Sequence, residues 1–286
     1  MTIDIAGAAG APAQARRRVR RGGLVAHAVM IPLAFVSVFP VWWMFVTALR
    51  PENAIYAVQP WPVGATLDNY AFALGAVPVA RMLWNTALFA AGSTAASLLT
   101  AILAAYAFSR WRFPGDRVMY AVVALTWLVP FQVVMIPNYV LIARLGLIDT
   151  VTALILPNVT SAFAVMLLTA AMRSFPREVV EAARMDGAGH WRILWRVIVP
   201  NLRAPLAALA ILLFISSWNE YFWPLLLTRS ANTTVIQIGI QMFLTEEGNL
   251  WGPLMALSTI ACLPVLAIYV VLQRQVINTF VQAGLR

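Results

Sequence analysis

Few side chains in this 286-residue chain can do chemistry. Of its eleven carboxylates, only Glu220 lies deep within an apolar run. A charge at the centre of a bilayer costs about 2.5–3.5 kcal/mol or more, so such a residue faces a bundle interior or a hydrated cavity. Asn219 beside it and Gln132 in another apolar run have the chemistry of a polar pathway lining. The same residue types also form buried hydrogen bonds between helices or subunits, and both readings stand. Metal chemistry is not indicated. His27 and His190 are isolated, and the single Cys262 is embedded in an apolar run. No G-x-x-x-x-G-K-[ST] run is present to cradle a nucleotide phosphate.

The elements that must carry these residues follow from composition. Hydrophobic residues make up 62% of the chain and charged residues 11%, with a mean hydropathy of +0.80. A soluble domain needs roughly a quarter charged residues to solvate its surface. The solvent here is therefore lipid, and an ordinary soluble enzyme is excluded. The net charge of +9 does not point to nucleic acid. Every basic residue is Arg, and these sit in short gaps between apolar runs, not on one soluble face among stacking aromatics.

A bilayer core of about 30 Å needs about 20 apolar helical residues. Six stretches qualify: 24–49, 82–109, 117–143, 151–172, 203–228 and 252–272. The fold class expected is an all-α membrane protein with six transmembrane helices. With an even number of spans, one side receives the N-terminus, loop 110–117, loop 173–203 and the C-terminus. That side holds 16 of the 20 arginines, which marks it as cytoplasmic. Both termini are then inside, and loops 50–81, 144–150 and 229–251 face out. Residues 1–23 read as a disordered cytoplasmic segment, 24–272 as the membrane domain and 273–286 as a cytoplasmic tail. The first apolar run is too long for a cleavable signal peptide. Pro130 and Pro137 in the third stretch read either as packing kinks or as a bent, pathway-lining helix. Small residues from Gly92 to Ser97 read as a packing seam. Trp42, Trp43, Trp111 and Trp251 read as interfacial anchors.

Loop 173–203 is patterned. Pro176, Glu178 and Glu181 suit a first helical turn, and Val179, Ala182, Ala183 and Met185 have helical spacing. Asp186-Gly187 then signals a turn in which Gly supplies positive φ. Trp191, Leu194, Trp195 and Ile198 form a second short pattern that Pro200 is expected to end. Two short amphipathic helices with an exposed apolar face require a partner groove or the membrane surface. The outer loop 229–251, with Thr233, Gln237 and Gln241, is too long for a featureless linker.

The run Glu181-Ala182-Ala183-Arg184-Met185-Asp186-Gly187-Ala188, then Val197-Ile198-Val199-Pro200, resembles the EAA motif of ABC-importer permeases. The family pattern is E-A-A, three residues, G, nine residues, then I-x-L-P. Asp68-Asn69-Tyr70, Ala105-Tyr106-Ala107-Phe108-Ser109-Arg110, Gly146-Leu147-Ile148-Asp149-Thr150 and Trp218-Asn219-Glu220-Tyr221 are similar to the carbohydrate-uptake class. Trp223-Pro224 and Trp251-Gly252-Pro253 resemble its glycerol-3-phosphate-type second permease. The likeness spans residues 24–281, while the tail Phe280–Arg286 departs from the class ending.

The resemblance implies a non-catalytic subunit of the cell inner membrane. Its partners would be a homologous permease, two ATP-binding subunits and an extracytoplasmic solute-binding protein. Glu181, Ala182, Ala183, Asp186, Gly187, Ala188 and Pro200 would belong to the loop that docks on the ATPase. Thr233, Gln237 and Gln241 would meet the binding protein. No cofactor would be bound by this chain, since ATP–Mg would sit on the ATPase. An ion-coupled secondary transporter is the alternative, though it would call for several intramembrane acids or duplicated broken helices.

The arginine distribution sets the first test. A topology reporter fused after Ser230 is expected outside, and one fused after Arg286 inside. A C-terminal fusion that reports outside overturns the six-span count.

Overall fold

The computed structural model describes residues 13–245 and 248–284, with side chains over 26–244 and 248–271. Helix α1 (Ala13–Ala48) runs back into the arginine-rich segment that was expected to lack structure. Arg is a good helix former, and only Gly22-Gly23 weakens the run; residues 1–12 lie outside the described set. In the first outer loop come a 3-10 turn (Glu52–Ala54) and α2 (Asp68–Ala76). Then follow α3 (Val79–Arg110), α4 (Asp116–Thr126) and α5 (Phe131–Arg144). Helix α6 (Val151–Ile155) continues as a 3-10 turn to Asn158, before α7 (Ala162–Arg173). The internal loop contains α8 (Arg177–Met185), α9 (His190–Arg192), a π-helical turn (Ile193–Ile198) and α10 (Val199–Asn201). Helices α11 (Arg203–Trp218), α12 (Phe222–Leu227) and α13 (Ile236–Gln241) come next. An antiparallel two-residue ladder, β1 (Leu244–Thr245) with β2 (Gly248–Asn249), precedes α14 (Trp251–Gly284). The tail expected over 273–286 is thus helical to Gly284.

Three helical stretches are each long and apolar enough to cross a membrane: Ala26–Ala48, Val79–Arg110 and Trp251–Val271. Three helix pairs meet the criterion only together, and each is bent. The bends are 96° between α4 and α5, 47° between Val151–Asn158 and α7, and 80° between His190–Asn201 and α11. Three to six spans are therefore available by length and composition. The stretch 203–228 is not one helix. It breaks after Trp218 and resumes at Phe222 as α12.

The breaks have local causes. Pro130 is extended (φ −59°, ψ 138°) and donates no N–H, so α4 cannot continue through it. Ser161 ends the second break by capping α7, its Oγ accepting from the Ala164 N–H at 3.2 Å. Pro205 has no N–H to offer the Asn201 carbonyl, which favours the bend at Leu202.

Helix α3 is the axis. It packs against α6, α7, α11 and α13, and three apolar clusters are strung along it. Val79 and Met82 join α13 and α14 residues, Phe89 joins residues of α5, α6 and α12, and Ala101–Tyr106 joins α7 and the internal loop. The seam expected at Gly92–Ser97 is present. A Cβ on Gly92 would lie 2.6 Å from Ile155 Cδ1, so any larger residue would displace the Ile155 side chain from its seat.

Asn69 locks the outer end. It is 7% exposed, and its Nδ2 donates to the carbonyls of Ala48 at 3.0 Å and Arg50 at 2.7 Å. These are carbonyls at the end of α1 that the helix leaves unpaired. Gly252 lies against this amide, and a Cβ there would come 2.6 Å from Asn69 Cγ. Gly252→Ala should therefore destabilise the chain by about 1–3 kcal/mol, because the pinned amide cannot retreat. Gly75→Ala, with nothing within 4 Å of the added Cβ, is the control. Thermal unfolding in detergent that treats the two variants alike contradicts this account.

Candidate functional site

The internal loop is the most structured of the expected sites. Helix α8 starts immediately after Pro176, which takes an extended conformation (ψ 130°), and ends in a Schellman turn. The Ala188 N–H donates to the Ala183 carbonyl at 3.0 Å and the Gly187 N–H to the Arg184 carbonyl at 2.9 Å. Gly187 has φ +76°, the left-handed conformation that closes such a turn. The spacing from Ala183 to Ala188 is thus that of one turn closure, and both alanines pack on the apolar cluster beneath. Glu181, Ala182, Asp186 and Gly187 point away from that cluster and are exposed.

Pro200 stands at the end of the second helix. It is the last residue but one of the helical run His190–Asn201, so the run ends one residue beyond it. The preceding π turn widens the helix, and the chain turns only at Leu202. His190 has a packing role. Its Nδ1 and the Tyr106 hydroxyl share a hydrogen bond at 3.0 Å, with Trp111 edge-on to the imidazole at 5.6 Å between centroids. The loop is thereby tied to the end of α3.

A polar cavity of about 480 Å³ lies where the bent spans break. Ser93 and Ser97 of α3, Thr126 before the α4–α5 break, Asn158 and Ser161 at the second break, and Ser216 and Ser217 of α11 contribute polar groups. Among the described residues, its lining contains no charged side chain. Glu220, Asn219 and Gln132 are not part of it. Glu220 Oε1 accepts from the N–H groups of Phe222 at 2.9 Å and Trp223 at 3.4 Å, so the carboxylate caps α12. Asn219 Oδ1 accepts from Gln237 Nε2 at 3.5 Å, and its Nδ2 donates to the Ile215 carbonyl. Gln132 lies exposed in the first turn of α5, next to Phe131, whose ring meets Trp223 edge-on at 5.1 Å. The hydroxyl-rich lining was not anticipated, because Ser and Thr occur in many apolar helices and only the breaks bring these together.

In the loop 229–251 expected to face out, Thr233 and Gln237 are held within the chain. Gln237 Nε2 donates to the Trp218 carbonyl at 3.3 Å, and Gln241 ends α13 exposed. Thr233 Oγ1 donates to Asp149 Oδ1, which also accepts from the N–H groups of Arg229 at 2.8 Å and Ser230 at 3.1 Å. Asp149 has φ +64°, and its own N–H donates to the Leu227 carbonyl at 2.7 Å. The hydrogen bond from Thr233, followed by that from the Arg229 N–H, pulls the Asp149 carboxyl down to a pKa of about 2. Glu246 and Glu247 of the same outer loop lie outside the described residues.

Residues 96–280 match the family described as binding-protein-dependent transport system inner membrane component. The chain is 32% identical over 261 residues to a lactose transport system permease protein of Rhizobium radiobacter, covering 91% of this chain and 96% of that one. It is also 32% identical over 270 residues to an sn-glycerol-3-phosphate transport system permease protein of Rhizobium meliloti (strain 1021), with the same two coverages. Among solved structures, a chain of a bacterial ABC transporter involved in the import of the acidic polysaccharide alginate has a TM-score of 0.78 and 26% identity. It covers 90% of this chain and 97% of its own length.

The Asp149 anchor sets a pH dependence. A carboxylate whose pKa is depressed in the fold stabilises it fully above its unfolded pKa and loses that contribution as pH falls through the folded value. With the folded pKa near 2 against an ordinary 3.8, the window runs from about pH 4 down to 2. Asp149→Ala is expected to lower Tm by roughly 2–4 °C at neutral pH. The gap to the native chain should hold from pH 8 to 5 and shrink below pH 4. A gap independent of pH would show that the carboxylate charge is not what anchors the loop.

Proposed function

This chain belongs to the family of binding-protein-dependent transport system inner membrane components, and from that membership we propose that it is the permease subunit of an ATP-driven importer for a sugar. It forms the translocation pathway together with a homologous permease, spans the membrane six times and keeps both termini in the cytoplasm. A binding protein delivers solute at the outer face, with Gln241 as a contact. Two ATPase subunits, which hold the ATP–Mg, dock on the internal loop.

The observation that carries this reading is the exposed apolar surface of that loop. Met185 is 89% exposed and Trp191 67% exposed, alongside Val179 and Trp195. They lie on a loop whose turn at Gly187 is held by two backbone hydrogen bonds and whose second half is tied to Tyr106. A preorganised apolar surface of this kind suits a partner groove. The relatives named for lactose and for glycerol 3-phosphate support the solute class. The uncharged, hydroxyl- and amide-lined cavity favours the neutral polyhydroxylated solute over the phosphorylated one, because its groups both donate and accept hydrogen bonds. Glu220, as the cap of α12, acts by holding the bent span in shape.

The test is Gly187→Val. A β-branched residue in the left-handed region costs roughly 1–2 kcal/mol or more and opens the turn. In proteoliposomes reconstituted with its partner subunits, the variant should insert normally yet lose binding-protein-stimulated ATP hydrolysis. Unchanged hydrolysis and transport in Gly187→Val would sink the docking role.

A further inference from the structure

A second cavity, of about 390 Å³, lies at the end of the bundle that the arginine distribution assigns to the cytoplasm. Three parts of the chain converge on it. Arg110 comes from the end of α3, Arg112 and Arg117 from the α3–α4 turn and the start of α4, and Arg173 and Arg177 from the junction of α7 and α8. Asp116 is the only carboxylate in the lining, and it is paired with Arg112 at 3.6 Å. Five guanidinium groups against one carboxylate leave a strong positive excess in a confined space, which an anion would relieve.

Part of this cradle is preorganised. Arg110 Nη2 donates to the Met172 carbonyl at 3.1 Å, holding its guanidinium against the α7–α8 junction. Arg173 Nη2 donates to the Phe108 carbonyl at 3.4 Å, and its guanidinium lies 4.9 Å from the centre of the Tyr120 ring. Arg117 and Arg177 are exposed, and among the described residues neither side chain donates a hydrogen bond to the chain. Two fixed and two free forks around one space match the tetrahedral oxygens of a phosphate, which Arg binds bidentately. Apolar side chains of α4 continue away from the cavity along the span. Val118 is 68% exposed, Val122 54% and Leu125 60%.

We propose that this cavity binds a phosphate group, and that the phosphate is the headgroup of an anionic phospholipid in the cytoplasmic leaflet. Basic pockets between membrane helices on that side favour such headgroups, and the exposed α4 side chains give acyl chains an apolar path. Bound there, the phosphate bridges α4 to the start of α8 and so braces the internal loop. The assignment does not depend on which solute is carried or on which protein docks on the loop.

The test uses the purified full chain in detergent, titrated with phosphatidylglycerol and with phosphatidylcholine and read by native mass spectrometry. The native chain should retain phosphatidylglycerol preferentially. The double variant Arg117→Gln/Arg177→Gln should retain it about tenfold less, since two charge-assisted contacts are lost. Arg144→Gln, on the outer side, should bind as the native chain does. Asp116→Asn should bind more tightly, because the competing carboxylate is neutralised, an effect that a merely structural role for the cluster does not produce. Equal retention of the two lipids, or full retention of phosphatidylglycerol by the double variant, overturns the proposal. Arginine-dependent binding of inorganic phosphate by the delipidated chain, without preference between the lipids, would transfer the site to a soluble phosphorylated compound and overturn the lipid assignment.

Discussion

Close contact along α3 is the constraint on which the bundle depends. Between helices in lipid there is no hydrophobic driving force, so association rests on van der Waals fit and interhelical hydrogen bonds. Gly92 lets Ile155 seat directly against the α3 backbone, and the surrounding Ala, Ser and Thr residues keep α6, α7 and α11 close. All three apolar clusters include α3 residues. A wider α3 would separate clusters that have no other element common to all three. The same closeness makes room for irregular backbone elsewhere, since broken helices are tolerated at membrane depth only where they are buried or line a cavity. The cavity at the breaks is thus the complement of the α3 seam.

Much of the helical architecture was legible in the sequence, because apolar length reports directly on the solvent each segment meets. Gly187 was legible for a similar reason, as an Asp-Gly step between two amphipathic runs leaves few conformations. The breaks at 159–161 and 219–221 were not. Hydropathy sums over a stretch, and a turn whose ends are capped by Ser161 or Glu220 changes that sum very little. Glu220 stood out for its charge, but a structural and a pathway carboxylate look alike in sequence, and its capping of α12 becomes visible only with the helix break beside it. Pro200 marked the end of the second loop helix to within one residue, while the π turn before it has no signature of its own. Asp149 passed as one residue of a loop motif. Its partners, Arg229, Ser230 and Thr233, are about eighty residues away, and no local pattern connects them.

Three sites in the molecule use the same device, a polar side chain satisfying backbone groups that helices leave open. Asn69 takes the last carbonyls of α1, Asp149 takes the N–H groups at Arg229 and Ser230, and Glu220 takes those at Phe222 and Trp223. Each links or shapes elements that apolar packing alone would leave free to slide, because apolar contacts are non-directional and hydrogen bonds are not.

The 80° corner at Leu202 has a mechanical consequence. Two arms meeting near a right angle form a bell crank. A push along the axis of His190–Asn201 reaches α11 almost entirely as a sideways load, with little component along the span. Since α11 carries Ser216 and Ser217 on the cavity wall, any displacement of His190–Asn201 along its own axis would move that wall sideways.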